Sequence, residues 1–301
     1  MVRAMLLSLA WSALILSTGA SSQDSAGETE PEAPEMLSYG PDPMQTLDFW
    51  PSAAVDPELV VFVHGGGWSG GDKRMMQGSD KLRHWRGEVY AVASLNYRLV
   101  PEATVEQEAE DVAAAIALLK TQADVWGFDP ERIALVGHSA GAHLVALVGT
   151  DERYLRSAGL SFDDISGVVL LDGAAYDVAM QLEEGPRIMR RTYRRAFGDV
   201  PERHARLSPT TQAGAPNAPA FLILHVQRED GVRQSEKLAA ALRRAGTPVE
   251  VRGFAGTGLR GHAEINRRMG EEGYPPTAAL DTFLARIFDH DATAGPSAGA
   301  R

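Results

Sequence analysis

Leu135-Val136-Gly137-His138-Ser139-Ala140-Gly141 is the stretch on which the reading of this chain turns. An apolar run at residues 133–136 leads into it and an Ala-rich segment at residues 140–148 leads out, which is the pattern strand, tight turn, helix. A serine on so sharp a turn adopts strained backbone angles, and the residues two places away on either side must be tiny to avoid collision. Gly137 and Gly141 meet that need. The turn also sets a helix N-terminus beneath the hydroxyl, where free amides and the helix dipole favour developing negative charge. Ser139 is therefore the candidate nucleophile.

Upstream, Val61-Phe62-Val63-His64-Gly65-Gly66-Gly67-Trp68 ends an apolar strand in a glycine run. Acyl transfer passes through a tetrahedral oxyanion that needs fixed N–H donors, and a backbone without side chains can approach it closely. Between and beyond these two motifs the pattern alternates. Apolar runs at residues 59–63, 89–94, 133–136, 168–171, 221–224 and 249–251 read as strands buried on both faces. Helical segments separate them. Within residues 101–121, Val105, Ala109, Val112, Ile116 and Leu119 recur at steps of three or four. Residues 234–245 end at Gly246 in a helix-terminating role, and residues 276–288 supply the last helix. This predicts a doubly wound, mostly parallel α/β sheet with helices on both faces. Residues 175–219 break the rhythm and read as a small cap insertion. Arg187, Arg190, Arg191, Arg194 and Arg195 cluster there, either as a solvated helix face or as contacts for an anionic substrate.

His64-Gly65-Gly66-Gly67-Trp68, Gly71-Asp72-Lys73, Asn96-Tyr97-Arg98-Leu99 and Gly137-His138-Ser139-Ala140-Gly141 together resemble the esterase/lipase branch of the α/β hydrolases. The likeness is greatest to the group of bacterial carboxylesterases and arylformamidases, and it runs from about residue 59 to 288. The resemblance implies that one oxyanion donor follows the nucleophile, here Ala140, and that others come from the glycine loop. Gly66 and Gly67 are the expected donors, Gly65 a third candidate, and His64 a loop-bracing residue.

The same fold orders its triad as serine, acid, histidine. The acid is expected after the strand at 221–225, where Val226-Gln227-Arg228-Glu229-Asp230-Gly231 offers Asp230, with Glu229 as the alternative. A helix-capping role is the structural reading of Asp230. The base is expected after the last strand, where a glycine-rich loop ends in Gly261-His262. His262 suits the task better than His225, which precedes the acid, or His290 near the C-terminus. His138 and His143 flank the serine and cannot easily turn back onto it. The expected chemistry is hydrolysis of a small carboxylic ester through an acyl-enzyme. The alternative is an arylformamidase-type amide hydrolase on the same triad. It calls for no cofactor and no metal, and the histidines lack the helical spacing of a zinc site.

Other classes fit less well. A catalytically inactive hydrolase used for binding would be expected to have lost a triad residue or an oxyanion glycine. A propeller-bearing peptidase needs far more chain ahead of its catalytic part. A dinucleotide binder needs a Gly-x-Gly-x-x-Gly after one strand together with an acid at the end of the next, and here the run at 89–94 is followed by Leu95-Asn96. The formal charge of −11 opposes nucleic-acid binding, because phosphate contacts need clustered Lys and Arg.

The ends carry their own signals. Arg3, an apolar run over residues 5–16 and the small residues Ser17-Thr18-Gly19-Ala20 form a secretory signal, residues 1–20. Export to the periplasm or medium is the expectation, with no membrane insertion after cleavage. Residues 21–40, rich in Ser, Glu, Pro and Gly, and residues 291–301 read as disordered. The catalytic domain is assigned to residues 41–290. With no cysteine in 301 residues, stability must come from the core, without disulfides.

Overall fold

The computed structural model describes residues 33–288. The expected signal sequence and C-terminal tail lie outside the described residues. The first half of the domain runs β1 (Glu35–Ser38), β2 (Thr46–Trp50), β3 (Leu59–Val63), α1 (Asp80–Gly87), β4 (Ala91–Leu95), α2 (Val105–Trp126), β5 (Ile133–His138) and α3 (Ala140–Thr150). It continues through α4 (Glu152–Ser157) and β6 (Gly167–Leu171) into four short helices: α5 (Val178–Glu184), α6 (Arg190–Phe197), α7 (Pro201–Arg206) and α8 (Pro209–Gln212). β7 (Phe221–Gln227), α9 (Glu229–Arg244), β8 (Val249–Thr257), α10 (Gly258–Arg267) and α11 (Pro275–Phe288) complete it.

The eight strands form one sheet in the order β1-β2-β4-β3-β5-β6-β7-β8. From β4 to β8 every pairing is parallel, and β1 and β2 join the sheet antiparallel. All five residues of β3 are buried. Side-chain alternation divides them between two apolar layers. Leu59, Val61 and Val63 pack with Val112 and Ile116 of α2, Leu144 of α3 and Leu238 of α9. Val60 and Phe62 face the other way, against Trp85 of α1 and Leu280 and Phe283 of α11. Each fully buried aliphatic or aromatic side chain contributes roughly 1.5–3 kcal/mol to such a core.

Three boundaries differ from the sequence reading. β1 occupies residues assigned to the linker, and it escaped notice because its side chains are mostly exposed and show no apolar run. β2 was not foreseen either. The segment ending at His262, expected to be a loop, is the start of α10. Residues 175–219 hold helices and no strand, as the interrupted rhythm suggested.

Candidate active site

Parallel register brings the C-terminal ends of four strands level. Val63 of β3 lies beside Gly137 of β5, His138 beside Leu171 of β6, and Leu171 beside Leu224 of β7. Whatever follows each strand therefore meets at one edge of the sheet, where the strand order also reverses around β3.

Ser139 follows β5 with φ 55° and ψ −116°, a strained conformation for a residue with a side chain. The turn closes so tightly that a Cβ on Gly137 would lie 2.4 Å from the carbonyl oxygen of Gly141. One on Gly141 would lie 2.1 Å from that of Val63. Across the cleft, a Cβ on Gly65 would come within 2.9 Å of the Ser139 Cβ, so the glycine loop runs directly past the hydroxyl. Gly66 has φ +134°, and a Cβ there would meet the Gly70 carbonyl oxygen at 2.0 Å. Among the described residues the amides of Gly66 and Gly67 donate no hydrogen bond. Ala140 opens α3, where first-turn amides have no helical acceptor.

This loop is braced from behind. The buried His64 ring donates from Nδ1 to the Gly65 carbonyl at 2.8 Å and stacks on Tyr97, whose hydroxyl donates to the His64 carbonyl at 2.8 Å. Burial lowers the His64 pKa. Asn96 accepts from the Lys73 amide at 2.6 Å, and the Lys73 ammonium pairs with buried Asp48. The Gly-Asp-Lys and Asn-Tyr-Arg motifs thus support the loop. On its far side Trp68 donates from its indole to His143 Nδ1 at 3.2 Å, and the opposite ring nitrogen of His143 donates to the Leu207 carbonyl at 2.8 Å. His143 is held neutral by burial, with its pKa lowered to about 4.

His262 lies in the second turn of α10, and its Nε2 is 2.9 Å from Ser139 Oγ. Its Nδ1 is 2.6 Å from Asp172 Oδ2. Donation from Nδ1–H to the carboxylate leaves Nε2 free to accept the serine hydroxyl. His138 tethers His262, its Nε2 lying 3.1 Å from the His262 carbonyl and the two rings 4.7 Å apart. Burial, together with the nearby His262, lowers the His138 pKa to about 3, so it stays uncharged.

The acid position requires a correction. Neither Asp230 nor Glu229 meets His262. Asp230 accepts from Arg228 at 3.2 and 3.3 Å and from Gln181 of the cap at 3.0 Å, while Glu229 points into solvent and pairs with Arg233 at 2.6 Å. The physical reason is that α9 begins at Glu229, so Asp230 sits in its first turn and Arg228 stands between it and the base. Asp172, directly after β6, takes the place facing the histidine. Its side chain is fully buried, with Oδ1 accepting from the Val226 amide at 3.1 Å and Oδ2 from Arg228 Nε at 2.8 Å. Burial alone would raise its pKa, but the His262 hydrogen bond and the Arg228 charge outweigh it and hold the carboxyl below its ordinary value.

Helices α5–α8 form the cap. Thr192 of α6 lies 2.7 Å from where a Gly67 Cβ would be, so the cap closes directly over the glycine loop. Tyr193 and Phe197 pack edge-on to Trp68. Arg187, Arg190, Arg191, Arg194 and Arg195 are all exposed, on the solvent side of the cap. Among the described residues no cluster of three or more His, Asp or Glu side chains is arranged to hold a metal.

A family model described as BD-FAE matches residues 48–242. The chain is 31% identical over 202 residues to Esterase LipC of Mycobacterium tuberculosis, an alignment covering 64% of this chain and 50% of that relative. It is 28% identical over 222 residues to Esterase LipI of the same organism, covering 69% and 68%. The chain thus spans about half the length of LipC. Esterase B from Lactobacillus Rhamnosis (HN001) superimposes with a TM-score of 0.71 at 22% identity, over 88% of each chain. That likeness, with the sheet order, establishes the α/β-hydrolase fold.

Proposed function

This chain belongs to the BD-FAE family, and from that premise we propose that it is a serine esterase acting on small carboxylic esters through Ser139, His262 and Asp172. The observation that carries the reading is the position of His262, 2.9 Å from the serine oxygen and 2.6 Å from the buried carboxylate. Ser139 Oγ attacks the ester carbonyl as its proton passes to His262 Nε2. Asp172 stabilises the imidazolium, and the amides of Gly66, Gly67 and Ala140 receive the oxyanion. Collapse expels the alcohol, which takes the proton from Nε2 and leaves an acyl group on Ser139. Water then attacks the acyl-enzyme, again with His262 as base, and releases the acid. Thr192 against the glycine loop favours short acyl chains.

Turnover of p-nitrophenyl acetate and butyrate tests this. Ser139→Ala is expected to lower kcat by about 10⁴-fold or more, and near-normal turnover would overturn the reading. A panel of esters, acylated sugars and aryl-formamides identifies the leaving group, and a preference for formamides would replace ester by amide hydrolysis. Export is part of the same proposal. N-terminal sequencing of the protein recovered from periplasm or medium is expected to begin at Ser21.

A further inference from the structure

Arg228 is the side chain that the triad does not require and the fold would not ordinarily choose. It is the N-cap of α9, where the helix dipole disfavours a cation and where it caps no amide. Its guanidinium is nevertheless almost completely buried, a placement tolerated only when every donor is paired. Here each one is. Nε donates to Asp172 Oδ2 at 2.8 Å, and one terminal nitrogen reaches both oxygens of Asp230 at 3.2 and 3.3 Å. The other reaches the carbonyl of Gly173 at 3.0 Å and that of Asp172 at 3.4 Å. Asp230 in turn accepts from Gln181 of α5, whose amide oxygen accepts from the Ala175 amide at 3.0 Å. The charges therefore alternate along one line: His262, Asp172, Arg228, Asp230.

We infer that Arg228 is a positioning residue for the esterase reaction, sharing the Asp172 carboxylate with His262, fixing its rotamer and weakening its hold on the imidazolium. Asp230 moderates that effect by drawing part of the Arg228 charge to itself. This rests on the triad reading given above. The guanidinium charge on Asp172 opposes the positive charge that forms on His262 as it takes the serine proton. Arg228 therefore extends activity toward acid.

His138, Tyr176, Tyr193 and Lys81 around His262 keep a constant charge through the acid range. His138 on β5 is neutral, with its pKa lowered to about 3 by burial and by His262. Tyr176 after β6 and Tyr193 on α6 are both raised by burial. Lys81 of α1, lowered to about 8 by burial, changes charge only on the alkaline side. On α10 itself, Arg260 is exposed and Glu264 pairs with Arg268 at 3.4 Å.

The test is the acid limb of kcat/KM for p-nitrophenyl butyrate, measured on the full mature chain. Arg228→Gln is expected to raise the limb's midpoint by about one pH unit, and Asp230→Asn to lower it by about half a unit. Arg228→Lys, which keeps charge but loses the planar fork, is expected to leave the midpoint within about 0.3 unit while lowering kcat. NMR titration of His262 in a Ser139→Ala background reads the same shifts without turnover, and Asp230→Asn alone decides the matter should Arg228→Gln not fold. Shifts of the same sign in Arg228→Gln and Asp230→Asn, or no shift in either, overturn the role of Arg228. Near-normal turnover by Ser139→Ala would instead overturn the esterase reading, so the two failures are distinct.

Discussion

Ser139 and Asp172 follow adjacent parallel strands at the same level of the sheet. The Ser139 amide donates to the carbonyl of Leu171 at 3.1 Å, and the Asp172 amide donates to that of Leu224 at 2.7 Å. The serine and the carboxylate are thereby fixed by the same ladder of backbone hydrogen bonds, and His262 comes from a separate element, α10.

If that ladder defines the acid, its removal has a specific signature. Asp172→Asn is expected to lower kcat by about 10³–10⁴-fold, because the amide favours the wrong imidazole tautomer. Asp230→Asn and Glu229→Gln are expected to stay within about tenfold of wild type. Steady-state kinetics of the three variants side by side provide the check, and a larger loss at Asp230 than at Asp172 reverses the assignment.

The oxyanion loop gives a second expectation. Gly66→Ala places a Cβ against the Gly70 carbonyl at a backbone angle that alanine avoids. The loop amides shift, and kcat is expected to fall by about 10²–10³-fold. The KM for a short ester should change much less. A variant that binds poorly yet turns over normally would place the oxyanion donors elsewhere.

Acid stability follows from the buried histidines. His143 and His138 have pKa values lowered by burial to about 4 and about 3. In the unfolded chain they titrate near about 6.5. The unfolded state thus binds the extra protons first, so stability is complete above about pH 6.5 and drains as pH falls toward those lower values. Between pH 6.5 and 5 the loss is about 1.5 kcal/mol for each histidine. Asp172 works in a different window, since a depressed carboxyl pKa destabilises only below about pH 4. Urea midpoints at pH 7 and pH 5 read this out, and His143→Gln is expected to lose less between them than wild type.

The cap makes a claim on substrate size. Thr192→Ala opens space above Gly67 and is expected to raise the hexanoate-to-acetate ratio of kcat/KM about three- to tenfold. An unchanged ratio would mean that the acyl chain leaves by another route.

The sequence made the central sheet legible because β3, β5 and β6 are buried on both faces and read as unbroken apolar runs. The serine turn and the glycine loop were legible because their geometry admits few residues besides glycine. His262 could be reached from chain order alone, but its helix could not. Gly258 and Gly261 look like loop residues, yet α10 starts at Gly258 and packs Gly261 closely against the Gly256 backbone. Asp172 was hidden for a different reason. An aspartate ending an apolar strand is unremarkable in one dimension, whereas Glu229-Asp230 after β7 offers two acids at the expected place. The overlooked signal was Arg228, a cation next to the sheet edge with two carboxylates within reach. β1 and β2 form the antiparallel margin, where β1 is mostly exposed and β2 carries Thr46 and Asp48 among its five residues, so neither reads as an unbroken apolar run.

One imidazole hydrogen-bonds to both the glycine loop and the cap. His143 accepts a hydrogen bond from the Trp68 indole at the end of the glycine loop and donates one to the Leu207 carbonyl in the cap. A substrate bulky enough to lift the cap must therefore strain the loop that receives its own oxyanion. On the proposed esterase reading, discrimination against large acyl groups is then felt in the rate of the chemical step as well as in binding, so a substrate that fits badly is also processed badly once bound.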